Sequence, residues 1–118
     1  MVSKKRSGNH FPKRGEVYWV DLEPTRGNEA QKRRPGLVIS NDIGNEFSPI
    51  IMIAPITSKI TRVYPTEVKT SVANRDAKIM LHQSRAVDKS RLLNKLGEVT
   101  SQTMIEVEKA IRIVFALP

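Results

Sequence analysis

Two short strand-like segments, Gly36 to Ser40 and Ile50 to Ile56, flank a polar turn running from Asn41 to Ser48. Segments this short, apolar and turn-bounded read as β-strands, the first continuous enough to be buried on both faces. Strands joined by so short a link are normally neighbours in space. Asn41, Gly44 and Asn45 supply the local bonds and permissive backbone for a turn or a single helical turn. Pro55 cannot donate to a strand ladder, so the second run should end, bulge or lie at an edge there. The pair then carries a permanently charged guanidinium, Arg34, at the entry of one strand and a hydroxyl, Thr57, at the exit of the next. Placed on one rim of a small sheet, these two groups suit a phosphate.

The rest of the chain fits a β-rich frame. Gly15-Glu16-Val17-Tyr18-Trp19-Val20-Asp21-Leu22 is rich in aromatic and β-branched residues and reads as a strand, with Trp19 in the core rather than a base-stacking platform. Glu23 to Arg34 is a basic loop whose length and Gly27 mark it as mobile and functional. Thr66 to Thr70 alternates as a half-exposed strand, Val72 to Asp76 is a turn, and Ala77 to Ser84 is a further strand. Asp88 caps a short helix through Leu93, and Gly97 breaks the chain before Val99. Ser101 is placed to cap a final helix whose Met104, Val107, Ile111 and Val114 form one apolar face. Five or so strands with helical packing at the end predict a mainly β, α+β fold: a small, curved SH3-like sheet or barrel with short helices and a C-terminal helix.

Composition limits what such a fold does. At 118 residues the chain is one domain, long enough to bury a core unaided. It has no cysteine, so neither a disulfide framework nor a thiolate metal site exists. The first ten residues lack the apolar core of a signal peptide, and no apolar run approaches membrane-spanning length, so a cytoplasmic protein without a membrane partner is expected. The net charge is +8 and the pI about 10.1. Lys4, Lys5, Arg6, Lys13 and Arg14 all precede the first acidic residue, Glu16. Residues 1–13 therefore read as a basic, disordered arm and 14–118 as the folded domain. This balance points to a polyanion, most simply nucleic acid, although a solubilising tail on an ordinary domain has the same charge.

Enzyme motifs that need a metal are missing. There is no His-Glu-x-x-His pair, no acidic cluster spaced for magnesium and no Gly-rich phosphate loop after a strand. What remains is a metal-free polar set: Arg34, Thr57, His82, Gln83 and Arg85. RNA cleavage fits such a set, because the ribose 2′-hydroxyl is the nucleophile. The protein then supplies alignment, charge stabilisation and proton transfer. Arginine grips a phosphate bidentately and threonine donates one hydrogen bond.

Beyond these groups, the chain resembles the MazF/PemK/Kid toxins of bacterial toxin–antitoxin pairs from about Lys13 to its C-terminus. The matching residues are Gly15 to Leu22, Gly27-x-Glu29, Arg34-Pro35-x-Leu37-Val38-Ile39, Asn41 to Asn45, Ile56-Thr57 and Gln83-x-Arg85-x-Val87-Asp88. The resemblance implies an SH3-like barrel decorated by helices, forming a homodimer. It implies a sequence-specific endoribonuclease acting on single-stranded RNA, without metal or other cofactor, leaving a 2′,3′-cyclic phosphate and a 5′-hydroxyl. The implied partners are that RNA, a cognate antitoxin whose acidic disordered segment covers the RNA groove, and operator DNA for the toxin–antitoxin complex. Carried over by position, Arg34 and Thr57 are the catalytic pair, and Glu29 lies in the loop flanking the groove. Lys32, Arg33, Ser58, His82, Gln83 and Arg85 are the RNA-binding or supporting candidates. His82 stands where relatives commonly carry an acidic residue, so either it takes over proton transfer or the position is dispensable.

Plainer readings stand beside these. Arg34 is a surface charge, Thr57 a turn cap, His82 a structural histidine, and Arg85 with Asp88 a local ion pair. A non-catalytic nucleic-acid-binding barrel and a module for an acidic peptide are the other function classes. With three Phe, two Tyr and one Trp, the chain has few rings for a stacking platform.

Overall fold

Strand β3, Ile50–Thr57, is the axis of a seven-stranded antiparallel sheet. On one side it pairs with β2, Arg33–Val38, which pairs with β1, Glu16–Asp21, and that in turn with β7, Leu92–Glu98. On its other side β3 takes two partners in succession. β6, Arg85–Asp88, covers Ile50 to Ile53, and β5, Arg75–Met80, covers Ile56 and Thr57, with β4, Glu67–Val72, beyond it. Among the described residues two α-helices complete the fold: α1, Asp42–Phe47, and α2, Ser101–Val114. The computed structural model describes residues 10–23, 26–27, 29 and 32–118. Of the expected basic arm, residues 1–9 lie outside the described residues, while Phe11, Pro12 and Lys13 are half-buried.

Pro55 does not interrupt β3. It stays in register with Gly36 of β2, and on the other side it falls in the gap where β6 has ended and β5 has not begun. The chain leaves the ladder opposite this gap, through a single 3-10 turn, Leu81–Gln83. The missing N–H therefore sits beside a detour rather than in a broken ladder. This corrects the expected strand from Ala77 to Ser84, which stops at Met80.

Further boundaries differ from the sequence reading. Strand β2 begins at Arg33, so Arg34 lies within it rather than before it. Asp88 caps only a 3-10 turn, Lys89–Arg91, in place of a helix through Leu93. Leu92 to Glu98 is a strand that hydrophobic alternation does not reveal, because most of its side chains remain exposed or half-exposed. Gly97 lies inside that strand beside a register shift and does not end it. The two irregularities between β1 and β7 bend this edge, as bulges do, and help curl the sheet. Thr100 rather than Ser101 caps α2, accepting the Thr103 N–H at 3.1 Å.

The sheet is buried on both faces. Val17, Leu37, Ala54, Ile56 and Ile79 pack beneath Val107 and Ala110 of α2, where Met104, Ile111 and Val114 also meet the core. Val20, Leu22, Val38, Ile51, Ile53 and Val87 form a second cluster on the opposite face. Trp19 is 36% exposed, against the core position read from sequence. It pairs with Pro35, one step beyond the part of the face that α2 covers.

The Asn41–Asn45 motif has a clear structural task. Asn41 caps α1 by accepting the Gly44 N–H. Asn45 is fully buried, donates to the Ser40 carbonyl at 2.9 Å and accepts the Ser40 hydroxyl. Ser40 Oγ also accepts the Met52 N–H at 3.0 Å, tying the turn to β3. These bonds fix how β2 passes into β3, and so fix the register that places Arg34 and Thr57.

Candidate active site

Register sets the two leading candidates at the same end of the β2–β3 pair. The β2–β3 pairing runs from Val38–Ile53 to Gly36–Pro55, and Arg34 and Thr57 each lie two residues beyond that last pair. Residues directly opposite in such a pair project from the same face of the sheet. Arg34 is also the register partner of Val20, so it lies on the face of the second cluster, near the start of β2. Gly36 makes the close packing at this point possible: a Cβ there would lie 2.8 Å from Val20 Cγ2. Arg34 is half-buried, and Thr57 is only 8% exposed.

Thr57 has a defined hydrogen-bonding role. Its Oγ1 accepts the Lys59 N–H at 3.2 Å, which leaves its own hydroxyl hydrogen to donate elsewhere. Ser58, next in the chain, is exposed.

The supporting candidates divide into groups. Arg85 pairs with Ile53, on the same face as Thr57 and Arg34, and donates to the Leu22 carbonyl at 3.3 Å. It makes this bond in place of the local pair with Asp88, whose carboxylate instead accepts the Ser90 N–H. His82 and Gln83 ride on the 3-10 detour beside Pro55. His82 is exposed, with Nδ1 3.4 Å from Thr66 Oγ1, and Gln83 is half-buried against Met80 Sδ at 3.7 Å. In the basic loop, Glu29 Oε1 accepts the Arg26 N–H at 2.7 Å and closes a local turn. Lys32, at φ 62°, gives its carbonyl to the Leu22 N–H, and Arg33 starts β2 opposite Asp21. The expectation of a mobile loop falls partly on Pro24, Thr25, Asn28, Ala30 and Gln31, which lie outside the described residues.

Sequence reasoning passed over one group at this site. Lys78 is the register partner of Thr57 and is buried. Its Nζ donates to Glu67 Oε1 at 2.9 Å and to the Arg62 carbonyl at 2.6 Å. Glu67, equally buried, also accepts the Tyr64 N–H at 2.9 Å. The available signal was a lysine inside the apolar run Ala77-Lys78-Ile79-Met80-Leu81.

Away from this face, Glu16 joins β1 to β7. Burial alone would raise its carboxyl, but bonds from Lys95, the Lys13 backbone and Tyr18 outweigh that and hold it below the ordinary value. Burial and the Glu16 carboxylate together push the Tyr18 phenol well above the usual tyrosine range. Among the described residues no three His, Asp or Glu side chains converge to hold a metal ion, and no helix is long and apolar enough to cross a membrane.

Comparison with known proteins agrees with this architecture. Residues 13–115 match the family described as PemK-like, MazF-like toxin of type II toxin-antitoxin system. Endoribonuclease EndoA of Bacillus subtilis is 43% identical over 110 residues, covering 89% of this chain and 95% of that protein. Endoribonuclease MazF of Staphylococcus epidermidis is 40% identical over 110 residues, covering 89% and 92%. Among solved structures, MazF from Deinococcus radiodurans superposes with a TM-score of 0.81 at 25% identity, covering 92% of this chain and 99% of that one. A mycobacterial endoribonuclease in complex with its cognate antitoxin gives 0.77 at 27% identity, covering 91% and 97%. On the family match across most of its length, the chain belongs to the PemK-like, MazF-like toxins of type II toxin–antitoxin systems.

Proposed function

We propose that this chain is an endoribonuclease toxin that cuts single-stranded RNA at particular sequences, with Arg34 and Thr57 at the scissile phosphate. The observation that carries the reading is their placement: one face and one end of the β2–β3 pair, each two residues beyond its last paired residues, Gly36 and Pro55. The relatives named as endoribonucleases support the reaction class. In the proposed step the ribose 2′-oxygen loses its proton and bonds to phosphorus, and the bond from phosphorus to the 5′-oxygen breaks. The departing 5′-oxygen gains a proton. The products are a 2′,3′-cyclic phosphate and a 5′-hydroxyl, and no water is consumed. Arg34 donates to the non-bridging oxygens and Thr57 adds one hydrogen bond, both strengthening as charge builds on the phosphorane. The substrate supplies the nucleophile, so no metal-activated water enters the step.

The antitoxin-bound mycobacterial neighbour supports a protein inhibitor, here one with an acidic disordered segment drawn to the same basic face. A homodimer is supported by α1, where Ile43 and Phe47 stand one helical turn apart at 76% and 78% exposure. Operator DNA is the further partner proposed for the toxin–antitoxin complex, and the cytoplasm, where mRNA and antitoxin meet, is the compartment. The reaction is tested by digesting a long RNA in excess EDTA and reading the product ends by mass spectrometry. The expected ends are a cyclic phosphate and a 5′-hydroxyl; activity that requires metal, or a 5′-phosphate, would reject the chemistry.

A further inference from the structure

The segment 58–66 runs from Thr57 to β4 and carries two cations, Lys59 and Arg62, and no acidic residue. Its path is set by the buried pair behind it. Lys78 Nζ holds the Arg62 carbonyl, while Glu67 holds Tyr64 twice, its carboxylate taking the Tyr64 N–H and its own N–H donating to the Tyr64 carbonyl at 2.9 Å. A buried ion pair is a poor source of stability compared with apolar packing. Here its bonds go to the backbone of an exposed loop, so what it gives the fold is position.

Tyr64 is what the pair positions. The residue is 50% exposed despite these ties. The Arg62 guanidinium and Lys78 Nζ each lie 5.8 Å from its ring centroid, and Arg62 Nη1 donates to the phenol oxygen at 3.3 Å. Lys78 is at once the register partner of Thr57 and a neighbour of this ring, so its side chain links the ring to the strand pair that carries Thr57. Proteins that bind single strands combine cations along the backbone with aromatic faces on which bases stack. A half-exposed ring braced by a buried ion pair, with a planar guanidinium against it, supplies both parts.

We infer that Tyr64, held by the Lys78–Glu67 pair and flanked by Arg62, is a stacking platform for one base of the RNA strand beside Arg34 and Thr57. Lys78 and Glu67 are positioning residues that act through the loop. The inference rests on the RNA reading above, but binding tests it without cleavage. The probe is a labelled single-stranded oligoribonucleotide of mixed sequence with 2′-methoxy riboses, which the proposed step cannot cut.

Tyr64→Ala should weaken binding by roughly five- to a hundredfold without changing the salt dependence, because stacking releases no counterion. Tyr64→Phe should bind as the unsubstituted protein does. Arg62→Ala should lower the slope of log affinity against log salt by about 0.7. The double variant Lys78→Met/Glu67→Gln removes both buried charges together. It should match Tyr64→Ala in affinity and be cut faster by trypsin after Lys59 and Arg62. Binding unaffected by Tyr64→Ala in a folded protein would overturn the platform alone, whether or not cleavage by Arg34 and Thr57 stands. Weakened capture of an acidic peptide with RNA affinity unchanged would overturn it in favour of a protein contact. Failure of the unsubstituted protein to bind the probe would overturn the platform and the RNA reading together.

Discussion

Arg34 and Thr57 share a face, yet they should fail differently when changed. Arg34 is half-buried and stands outside the two core clusters, so removing its guanidinium takes away charge stabilisation without opening the core. Arg34→Ala should lower kcat/KM by about a hundred- to a thousandfold, some 3–4 kcal/mol of barrier, with thermal stability nearly unchanged. Steady-state kinetics beside a melting curve checks both halves, and near-normal turnover would remove Arg34 from the site. Thr57→Val keeps the shape of a buried side chain and deletes one hydroxyl, the proposed donor to the phosphate and the acceptor of the Lys59 N–H, but no charge, so its loss should be smaller. The two were visible as candidates because each ends a recognisable segment, Arg34-Pro35 and Ile56-Thr57, that matches the family pattern. Lys78, Glu67 and Tyr64 were not. Their importance lies in bonds between residues 11 to 16 positions apart along the chain, or in a loop conformation, neither of which periodicity encodes.

Between elements, packing and ion pairs make separate predictions. Gly36 lets β2 lie against Val20, since an added Cβ would come within 2.8 Å of its Cγ2. Gly36→Ala should therefore destabilise the fold by about 1–3 kcal/mol, measured by denaturant unfolding. Equal stability would mean that β1 can shift to accommodate the methyl group. The Glu16 carboxyl titrates below its ordinary value in the folded chain, so its contribution is present above the unfolded value near 4.5 and is lost as pH falls through the lower folded value. Glu16→Gln should cost about 1 kcal/mol at pH 7, with the difference shrinking as pH falls from the ordinary value through the lower folded one. A pH-independent penalty would point to packing rather than charge. Of the elements, β1 was legible from its aromatic and β-branched residues, β3 from its apolar run, β4 from alternation, α1 as a single helical turn and α2 from helical spacing. β6 and β7 were not, because β6 is short and β7 is mostly exposed and paired through two irregularities, which hides its alternation. Pro55 misled for a related reason: a central strand accommodates it where its two successive partners on one side leave a gap.

For the whole molecule, charge and exposed apolar surface set the partners. Phe47→Asp on α1 should shift a homodimer toward monomer in sedimentation without unfolding it, because this side chain touches water rather than core. A dimer that persists would move the interface elsewhere. Removing residues 1–9 deletes Lys4, Lys5 and Arg6 and should leave the fold and cleavage intact. Each phosphate that these cations neutralise in the full chain accounts for about 0.7 of the salt slope of RNA binding, so the shortened chain should show a shallower slope. Identical slopes would show that this segment does not touch RNA.

If the substrate carries its own nucleophile, and Arg34 and Thr57 support its attack, one oxygen atom of the RNA decides whether a bond is cut. A synthetic RNA containing one mapped cut site, with a single deoxyribose in place of the ribose on the 5′ side of that bond, isolates this atom. Deoxyribose at that one position leaves every base and phosphate in place. Cleavage at that bond should stop while binding stays within a few-fold of the all-ribose strand. Cutting of the substituted bond at an undiminished rate would contradict the 2′-hydroxyl mechanism.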